Sequence, residues 1–336
     1  MKILLVTTGG TIASAPSAQG LKPQASGEQL LLACPQLIGF EHDVEILDLF
    51  SKDSSNIHPS DWLKITGCIR SHTCDAVVLL HGTDTLAWTA AALSYLLSDV
   101  PFPVVVTGSM LAPGAPGSDV PDNIYAAFQF ALQLAMYKRR GVSVAFAGAL
   151  IHGPRTSKVD SHRKNAFVSV DYPILGEMKD RETHKVAWLT QKTPSLSPER
   201  PWGTTPELET DLAIFPIFPG LNARTLDALV DSAPKAIILE GYGSGGVPFM
   251  EGNLLPSIER GIARGVPFFL KSQALFGGTE PSLYEVGQKA LSLGVVSAGE
   301  LTREALATKL MLLLPLFSGP ELEERLSENL CDDVPA

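Results

Sequence analysis

No run in this chain approaches the roughly 18 consecutive apolar residues that a membrane-spanning helix requires, so a membrane partner is not expected. The opening MKILLVTTGG is too short for the apolar core of an export signal and breaks at a glycine pair. It reads as a buried strand, and the expected location is cytoplasmic. Cysteine is scarce: Cys34, Cys68, Cys74 and Cys331 are scattered and show no disulfide-framework spacing. Cys68, His72 and Cys74 suggest a metal site only until a fourth ligand is sought, and the segment reads as a helix running into a strand. No metal is assigned. Positive charge is also in deficit, because a net charge of −10 opposes nucleic-acid binding, which needs a basic face. Two further signatures are missing. The turn Thr8-Gly9-Gly10-Thr11 lacks the Gly-Lys-Ser/Thr of a phosphate-cradling loop and does not fit G-x-G-x-x-G. Ser244 in GYGSGG has Tyr242 where the first glycine of a nucleophile elbow should stand. There is no internal repeat.

What is present is the material of two globular units. A chain of 336 residues exceeds the length at which one core usually stops growing, and 45% apolar against 18% charged residues is a globular composition. Apolar, β-branched runs at Lys2–Thr7, Val44–Leu49, Ala76–Leu80, Pro103–Thr107 and Val142–Ala147 read as strands. Helical patterns lie between them near Gly27–Ala33, Pro59–His72, Leu86–Leu97 and Asp122–Tyr137, and Leu86, Ala90, Leu93 and Leu97 form one apolar face. Such alternation predicts an α/β fold: a larger, N-terminal, mainly parallel sheet with helices on both faces. The Pro-, Ser- and Thr-rich stretch over 186–211 reads as a linker between a domain at 1–185 and a smaller C-terminal α/β domain at 212–336.

Open α/β sheets bind ligands beyond the carboxyl ends of their strands, and small hydroxyls, carboxylates and one lysine gather there. Thr8-Gly9-Gly10-Thr11 follows the first strand, Ser51-Lys52-Asp53-Ser54-Ser55 the second, and His81-Gly82-Thr83-Asp84-Thr85 the third. The fifth runs into His152-Gly153-Pro154-Arg155-Thr156-Ser157-Lys158. On its own, Gly9-Gly10 reads first as a tight turn, and His81 and His152 read first as structural histidines. Asp84 or Thr85 could simply cap the helix that follows. That helix N-terminus also favours an ionised Asp84 and offers backbone N–H groups to a developing oxyanion. Lys158 beside Asp84 would complete a Thr83–Lys158–Asp84 relay. A neighbouring carboxylate favours the ammonium form of a lysine, so Lys158 would ease deprotonation of Thr83 and shuttle a proton rather than act as a free base.

With TTGGTIAS, DSSN, HGTDTLAWTAAALSYLL, VTGS, SDVPDN and RTSK in this order, and LEGYGSGG and LYEVGQKALSLGVVSAGELTREALATKLMLLL later, the chain resembles the bacterial-type L-asparaginase (asparaginase/glutaminase) family over nearly its whole length. The missing signal peptide and the DSS loop are similar to the cytosolic, type I-like branch. The resemblance implies hydrolysis of L-asparagine to aspartate and ammonia, without metal or organic cofactor. It implies Thr11 as nucleophile, with Thr83, Asp84 and Lys158 as the second part of the catalytic site and the oxyanion near the Thr83 backbone N–H. Gly10, Ser54, Ser55 and Gly82 would hold the substrate, Ser54 and Ser55 at its α-carboxylate and α-amino groups. It further implies a homodimer or homotetramer in which Ser244 and Tyr284 reach into the partner's site. Four features depart from the family pattern: Leu21 stands near the usual flap tyrosine, Ser55 replaces the glutamine of the exported branch, SDV replaces SDG, and the C-terminal segment offers no obvious glutamate for the substrate ammonium, although Glu280 and Glu285 are nearby in sequence. The flap around Ala13–Pro23, small and polar, suits a lid. A related amidotransferase subunit and a sensor without turnover are the competing readings.

Overall fold

Along the first strand, Ile3 and Leu5 join one apolar core while Leu4 and Val6 join another, because successive side chains of a strand point to opposite faces. The same alternation at Ala76, Val78 and Leu80 against Val77 and Leu79 makes the sheet the wall between two cores. A computed structural model describes residues 1–17, 20–37, 41–180, 185–187, 201–203 and 206–334, with residues 15–17, 20–23, 179–180 and 185–187 in backbone only. It divides into Met1–Glu199 with Leu330–Asp332, and Arg200–Asn329 with Asp333–Ala336.

In the first unit, β1 (Lys2–Gly9) is followed by a hairpin of β2 (Ser14–Ser17) and β3 (Gly20–Pro23), then α1 (Gly27–Leu32) and β4 (Asp43–Lys52). Next come α2 (Pro59–Ser71), β5 (Ala76–Leu80), α3 (Leu86–Leu96), β6 (Pro103–Thr107), α4 (Val120–Met136) and β7 (Gly141–Phe146). β1, β4, β5, β6 and β7 pair in parallel in the order β4-β1-β5-β6-β7, so the sheet grows in both directions from β1. The topological switch point therefore lies between β1 and β5, where a crevice opens beyond the strand ends. α4 packs Ile124, Ala127, Phe128 and Ala131 on one face of the sheet, and α2 and α3 pack on the other. Leu86, Ala90, Leu93 and Leu97 meet the core as their spacing predicts. The remainder of α3 apart from the partly buried Trp88 is buried too, Ala91, Ser94 and Tyr95 included, so this helix is enclosed rather than amphipathic.

The sequence reading fails past β7. A turn at Ala147-Gly148, both at positive φ, sends the chain back as β8 (Ala149–His152), antiparallel to β7. His152 consequently lies opposite Ser143, away from the carboxyl edge, and is buried with Nε2 2.6 Å from the Cys331 carbonyl. Short strands β9 (Thr156–Lys158) and β10 (Phe167–Ser169) form a separate ribbon, and β11 (Gly176–Asp180) and β12 (Lys185–Ala187) extend the main sheet antiparallel beyond β8. The linker expected over 186–211 falls largely outside the described residues.

The second unit is a parallel sheet, β13 (Leu212–Pro216), β14 (Ala236–Gly241), β15 (Phe268–Ser272) and β16 (Val296–Ser297), in sequence order. Its helices are α5 (Ala223–Asp231), α6 (Leu255–Ala263), α7 (Glu285–Ser292), α8 (Arg303–Leu313) and α9 (Gly319–Ser327). Phe215, Leu226, Ile237, Leu239, Ile258, Phe268 and Leu270 fill its core. On α8, Lys309 is fully buried with its charge met by Asp333 at 2.7 Å and the Glu328 carbonyl at 2.7 Å.

Candidate active site at the switch point

Two glycines bring the ends of β1 and β5 together. Gly10 adopts φ 82°, and a Cβ there would lie 2.2 Å from the Gly82 Cα. Only residues without a side chain allow two backbones so close. The Gly10 N–H donates to the Lys52 carbonyl at 2.8 Å, and the Thr8 hydroxyl donates to the Leu80 carbonyl at 2.9 Å. β4, β1 and β5 are thus tied at one edge, and Thr11 and Thr83 each follow one of the touching glycines. Thr11 opens a 3-10 turn over Thr11–Ala13 and is half-buried. Its hydroxyl has no hydrogen-bond partner among the described residues.

Thr83 is 5% exposed and its Oγ1 accepts from Lys158 Nζ at 2.9 Å. Lys158 Nζ also donates to Asp84 Oδ1 at 2.6 Å, so the ammonium bridges hydroxyl and carboxylate. Lys158 is largely covered, with 18% of its side chain exposed, whereas the Asp84 side chain is 63% exposed. Neither Asp84 nor Thr85 caps α3. The Asp84 N–H donates to Ser54 Oγ at 3.1 Å and the Thr85 hydroxyl donates to the Ser54 carbonyl at 2.8 Å, so both clamp the loop after β4 instead. Ser54, buried, accepts there and keeps its own hydroxyl proton to donate. Ser55 is in the opposite position: its hydroxyl and N–H donate to Asp53 Oδ1 at 2.6 and 2.9 Å. Those bonds, the side-chain one foremost, hold the Asp53 carboxyl below its ordinary range. Under the same loop sits Asp61. Burial would raise its pKa, but Lys52, Lys64 and the His58 N–H together hold it at about 2.

The VTGS and SDVPDN segments meet next to this edge. Asp119 accepts the N–H groups of Met110 and Leu111 at 2.9 and 3.0 Å, and Asn123 donates to the Gly108 carbonyl at 2.9 Å. They fasten the loop after β6. Ser244 and Tyr284 are together in the second unit, lining a pocket of about 250 Å³ with Tyr242, Val247 and Pro281. Glu285 is paired with Lys289 at 3.1 Å. The side chain of Leu21, on β3, lies outside those described. Cys68 and Cys74 have thiols raised by burial, Cys74 to about 11, and His72 Nδ1 is bonded to the Cys68 carbonyl at 2.8 Å.

One group that sequence reasoning treated as merely structural is bound tightly to this edge. His81 is fully buried, with Nδ1 2.7 Å from the Gly82 carbonyl and Nε2 3.0 Å from Thr89 Oγ1, which also accepts the Trp62 indole N–H at 3.0 Å. Burial lowers its pKa to about 4, against the opposing pull of the Gly82 carbonyl. A histidine kept neutral in the folded chain titrates near 6.5 when unfolded. Its contribution to stability is therefore complete above pH 6.5 and is lost as pH falls from 6.5 towards 4, at about 1.4 kcal/mol per pH unit. Wild type should lose roughly 3 kcal/mol relative to His81→Asn across that window. Denaturant midpoints of both proteins at pH 7 and pH 4.5 measure this, and a pH-independent difference would contradict it.

A sheet ordered β4-β1-β5-β6-β7, with a threonine–lysine–aspartate chain at its switch point, defines the class: a doubly wound α/β protein with its candidate site at the strand ends. Residues 2–192 match the family model "Asparaginase, N-terminal" and residues 211–324 match "Glutaminase/Asparaginase C-terminal domain". The chain belongs to the asparaginase family. It is 39% identical to a curated L-asparaginase of Thermococcus kodakarensis over 94% of this chain and 93% of that protein. The solved structure of the thermostable L-asparaginase from that organism superposes with a TM-score of 0.89 at 36% identity, covering 100% of both chains. The probable cytoplasmic L-asparaginase of Campylobacter jejuni superposes with a TM-score of 0.80 at 25% identity over 97% of this chain and 98% of that one. A subunit of the glutamyl-tRNA(Gln) amidotransferase of Pyrococcus furiosus is 32% identical over 93% of this chain and 72% of its own length.

Proposed function

We propose that this chain hydrolyses L-asparagine to aspartate and ammonia, with Thr11 as nucleophile and Thr83, Lys158 and Asp84 as the assisting group. The observation that carries the reading is Lys158 Nζ standing 2.9 Å from the Thr83 hydroxyl and 2.6 Å from Asp84, at the edge where Gly10 meets Gly82. An ammonium that donates to a hydroxyl oxygen stabilises the alkoxide of that hydroxyl, and the carboxylate on its far side balances the charge. Likeness to the Thermococcus L-asparaginase supports the substrate.

The substrate contacts divide by hydrogen-bond sense. Ser54 has a proton to give and suits the α-carboxylate. Ser55 already donates its hydroxyl hydrogen to Asp53, so its oxygen suits the α-ammonium, together with Asp84 Oδ2. A buried zwitterion needs each charge paired, which is why so small a substrate requires several polar groups. The Thr11 oxygen attacks the side-chain amide carbon, and the Thr83 N–H meets the oxyanion. The hydroxyl proton passes to the amide nitrogen, the C–N bond breaks and ammonia leaves. A water molecule then attacks the Thr11 ester, and its proton is relayed through the Thr83 hydroxyl and Lys158, which passes one on as it receives one, to the departing Thr11 oxygen. Aspartate departs and the Thr11 hydroxyl is restored. Two steps of acyl transfer replace one difficult amide hydrolysis.

The bond from Lys158 to Thr83, with no comparable partner on Thr11 among the described residues, favours one second scheme. There Thr83 activates water directly and Thr11 only polarises the carbonyl. Ammonia release is assayed with L-asparagine, L-glutamine and D-asparagine, and turnover is strongest with L-asparagine on the reading given. Rapid quench and peptide mapping of Thr83→Ala should then find an aspartyl ester on the peptide that carries Thr11. Turnover without any adduct would favour the direct-water scheme, and no ammonia from any of the three would defeat both. We infer further a cytoplasmic homodimer or homotetramer in which Ser244 and Tyr284 serve the partner's site. The cytoplasmic relative supports the location, and sedimentation measures the assembly.

A further inference from the structure

His81, one residue before the touching glycine, has a hydrogen-bond arrangement that admits a single pattern of protons. The Gly82 carbonyl can only accept, so Nδ1 carries the hydrogen on the 2.7 Å bond between them. The imidazole is enclosed and neutral, so Nε2 has a lone pair to satisfy, and Thr89 at 3.0 Å supplies the hydrogen. Thr89 is free to point its hydrogen at His81 because its oxygen is already met by the Trp62 indole, which can only donate. Trp62 comes from α2, Thr89 from α3 and His81 from the end of β5, so three elements fix one tautomer.

The consequence falls on the next peptide. The Gly82–Thr83 unit is planar and trans, so its C=O and N–H point in opposite directions. Holding the carbonyl against His81 turns the Thr83 N–H the other way. That N–H has no hydrogen-bond partner among the described residues, and it belongs to the residue whose hydroxyl Lys158 holds. Gly82 is the residue least able to hold such a plane by itself, since a glycine backbone rotates with little steric resistance.

We propose that His81 is a positioning residue: the Trp62–Thr89–His81 chain locks the Gly82–Thr83 peptide so that the Thr83 N–H faces the reacting carbonyl. This deepens the amidohydrolase reading and rests on it. His81 touches no substrate atom. It acts through the donor it aims, and a donor aimed at developing charge lowers the barrier while leaving ground-state binding nearly untouched.

Three measurements test this. In His81→Phe, which keeps a ring but no donor, kcat for L-asparagine should fall about 10²- to 10³-fold, the loss typical of one oxyanion donor, with KM within threefold of wild type. In His81→Asn the side-chain amide stands where Nδ1 stood and can still hold the Gly82 carbonyl, so at least tenfold of the lost kcat should return. Selective ¹⁵N-histidine labelling of the wild-type chain should show His81 neutral, with hydrogen on Nδ1, throughout pH 5.5–8. The proposal is overturned by a His81→Phe kcat within threefold of wild type, by a rise in KM matching the fall in kcat, by no recovery in His81→Asn, or by hydrogen on Nε2. If His81→Phe does not fold, Thr89→Val takes its place, and an unchanged tautomer and kcat there would equally overturn it. Absence of asparagine turnover in wild type would remove the parent reading. The tautomer is read without turnover, so the two failures are distinguishable.

Discussion

Thr11→Ala should lower kcat for L-asparagine about 10³- to 10⁵-fold, with KM changed only a few-fold and the melting temperature close to that of wild type. The Thr11 hydroxyl makes no hydrogen bond within the described residues, so its removal leaves no buried partner unsatisfied, and its site is half-buried rather than enclosed. What is lost is an interaction made only as the amide carbon is attacked. Thr83→Ala should fall as far in turnover, but it strips an acceptor from Lys158, which retains Asp84. If the two threonines serve one reaction path, the double variant should be little worse than the poorer single one, since groups that act as a unit are not additive. Steady-state ammonia release on all three variants decides. A Thr11→Ala enzyme within tenfold of wild-type kcat would rule Thr11 out as the nucleophile, and a double variant whose losses multiply would require separate roles for the two threonines.

How much of this was readable beforehand follows from the range over which each feature is determined. The parallel strands and α3 were legible because their signals are local: β-branched runs of five or six residues, and Leu86, Ala90, Leu93 and Leu97 at helical spacing. That TTGGT and HGTDT share one edge was legible as well, because both follow strands read as parallel; that β1 and β5 are neighbours is shown by the strand order of the fold. β8 to β12 were not. They are short antiparallel pieces, entered through a left-handed turn at Ala147-Gly148, and nothing in GALIHGPRTSK separates a returning strand from a loop. The sense of the serine contacts also lay beyond reach, since it depends on Asp53 accepting a hydrogen bond from the Ser55 hydroxyl while the Asp84 N–H donates to the Ser54 oxygen. An Asp followed two residues later by Ser is a local turn signal that could have suggested the first. His81 shows the limit most clearly. Its tautomer is set by residues 19 positions before it and 8 after it, on two helices that only the fold brings together.

Gly10→Ala tests whether the site exists because two backbones touch. The new methyl would stand 2.2 Å from the Gly82 Cα and 2.4 Å from the Gly82 nitrogen, distances at which backbone must move because no flexible side chain is there to yield. Alanine would also have to hold φ 82° with ψ −175°, a backbone region essentially reserved for glycine and costing on the order of 1–3 kcal/mol for a residue with a Cβ. Overpacking adds about 1–3 kcal/mol, so a total loss of about 2–6 kcal/mol in stability is expected. The larger effect is on turnover. Relief of the clash must separate the end of β1 from the end of β5, carrying Thr11 away from Thr83 and the Thr83 N–H away from its aim. Displacement of about 1 Å between reacting groups costs on the order of 10²-fold, and here two groups move, so kcat should fall at least that far. Gly114→Ala is the control, because a Cβ there meets nothing within 4 Å although its φ of 76° is likewise positive. It should lose stability by the strain alone and keep its kcat. Equal losses of kcat in the two variants would mean that backbone strain anywhere, rather than contact between these two glycines, limits the reaction.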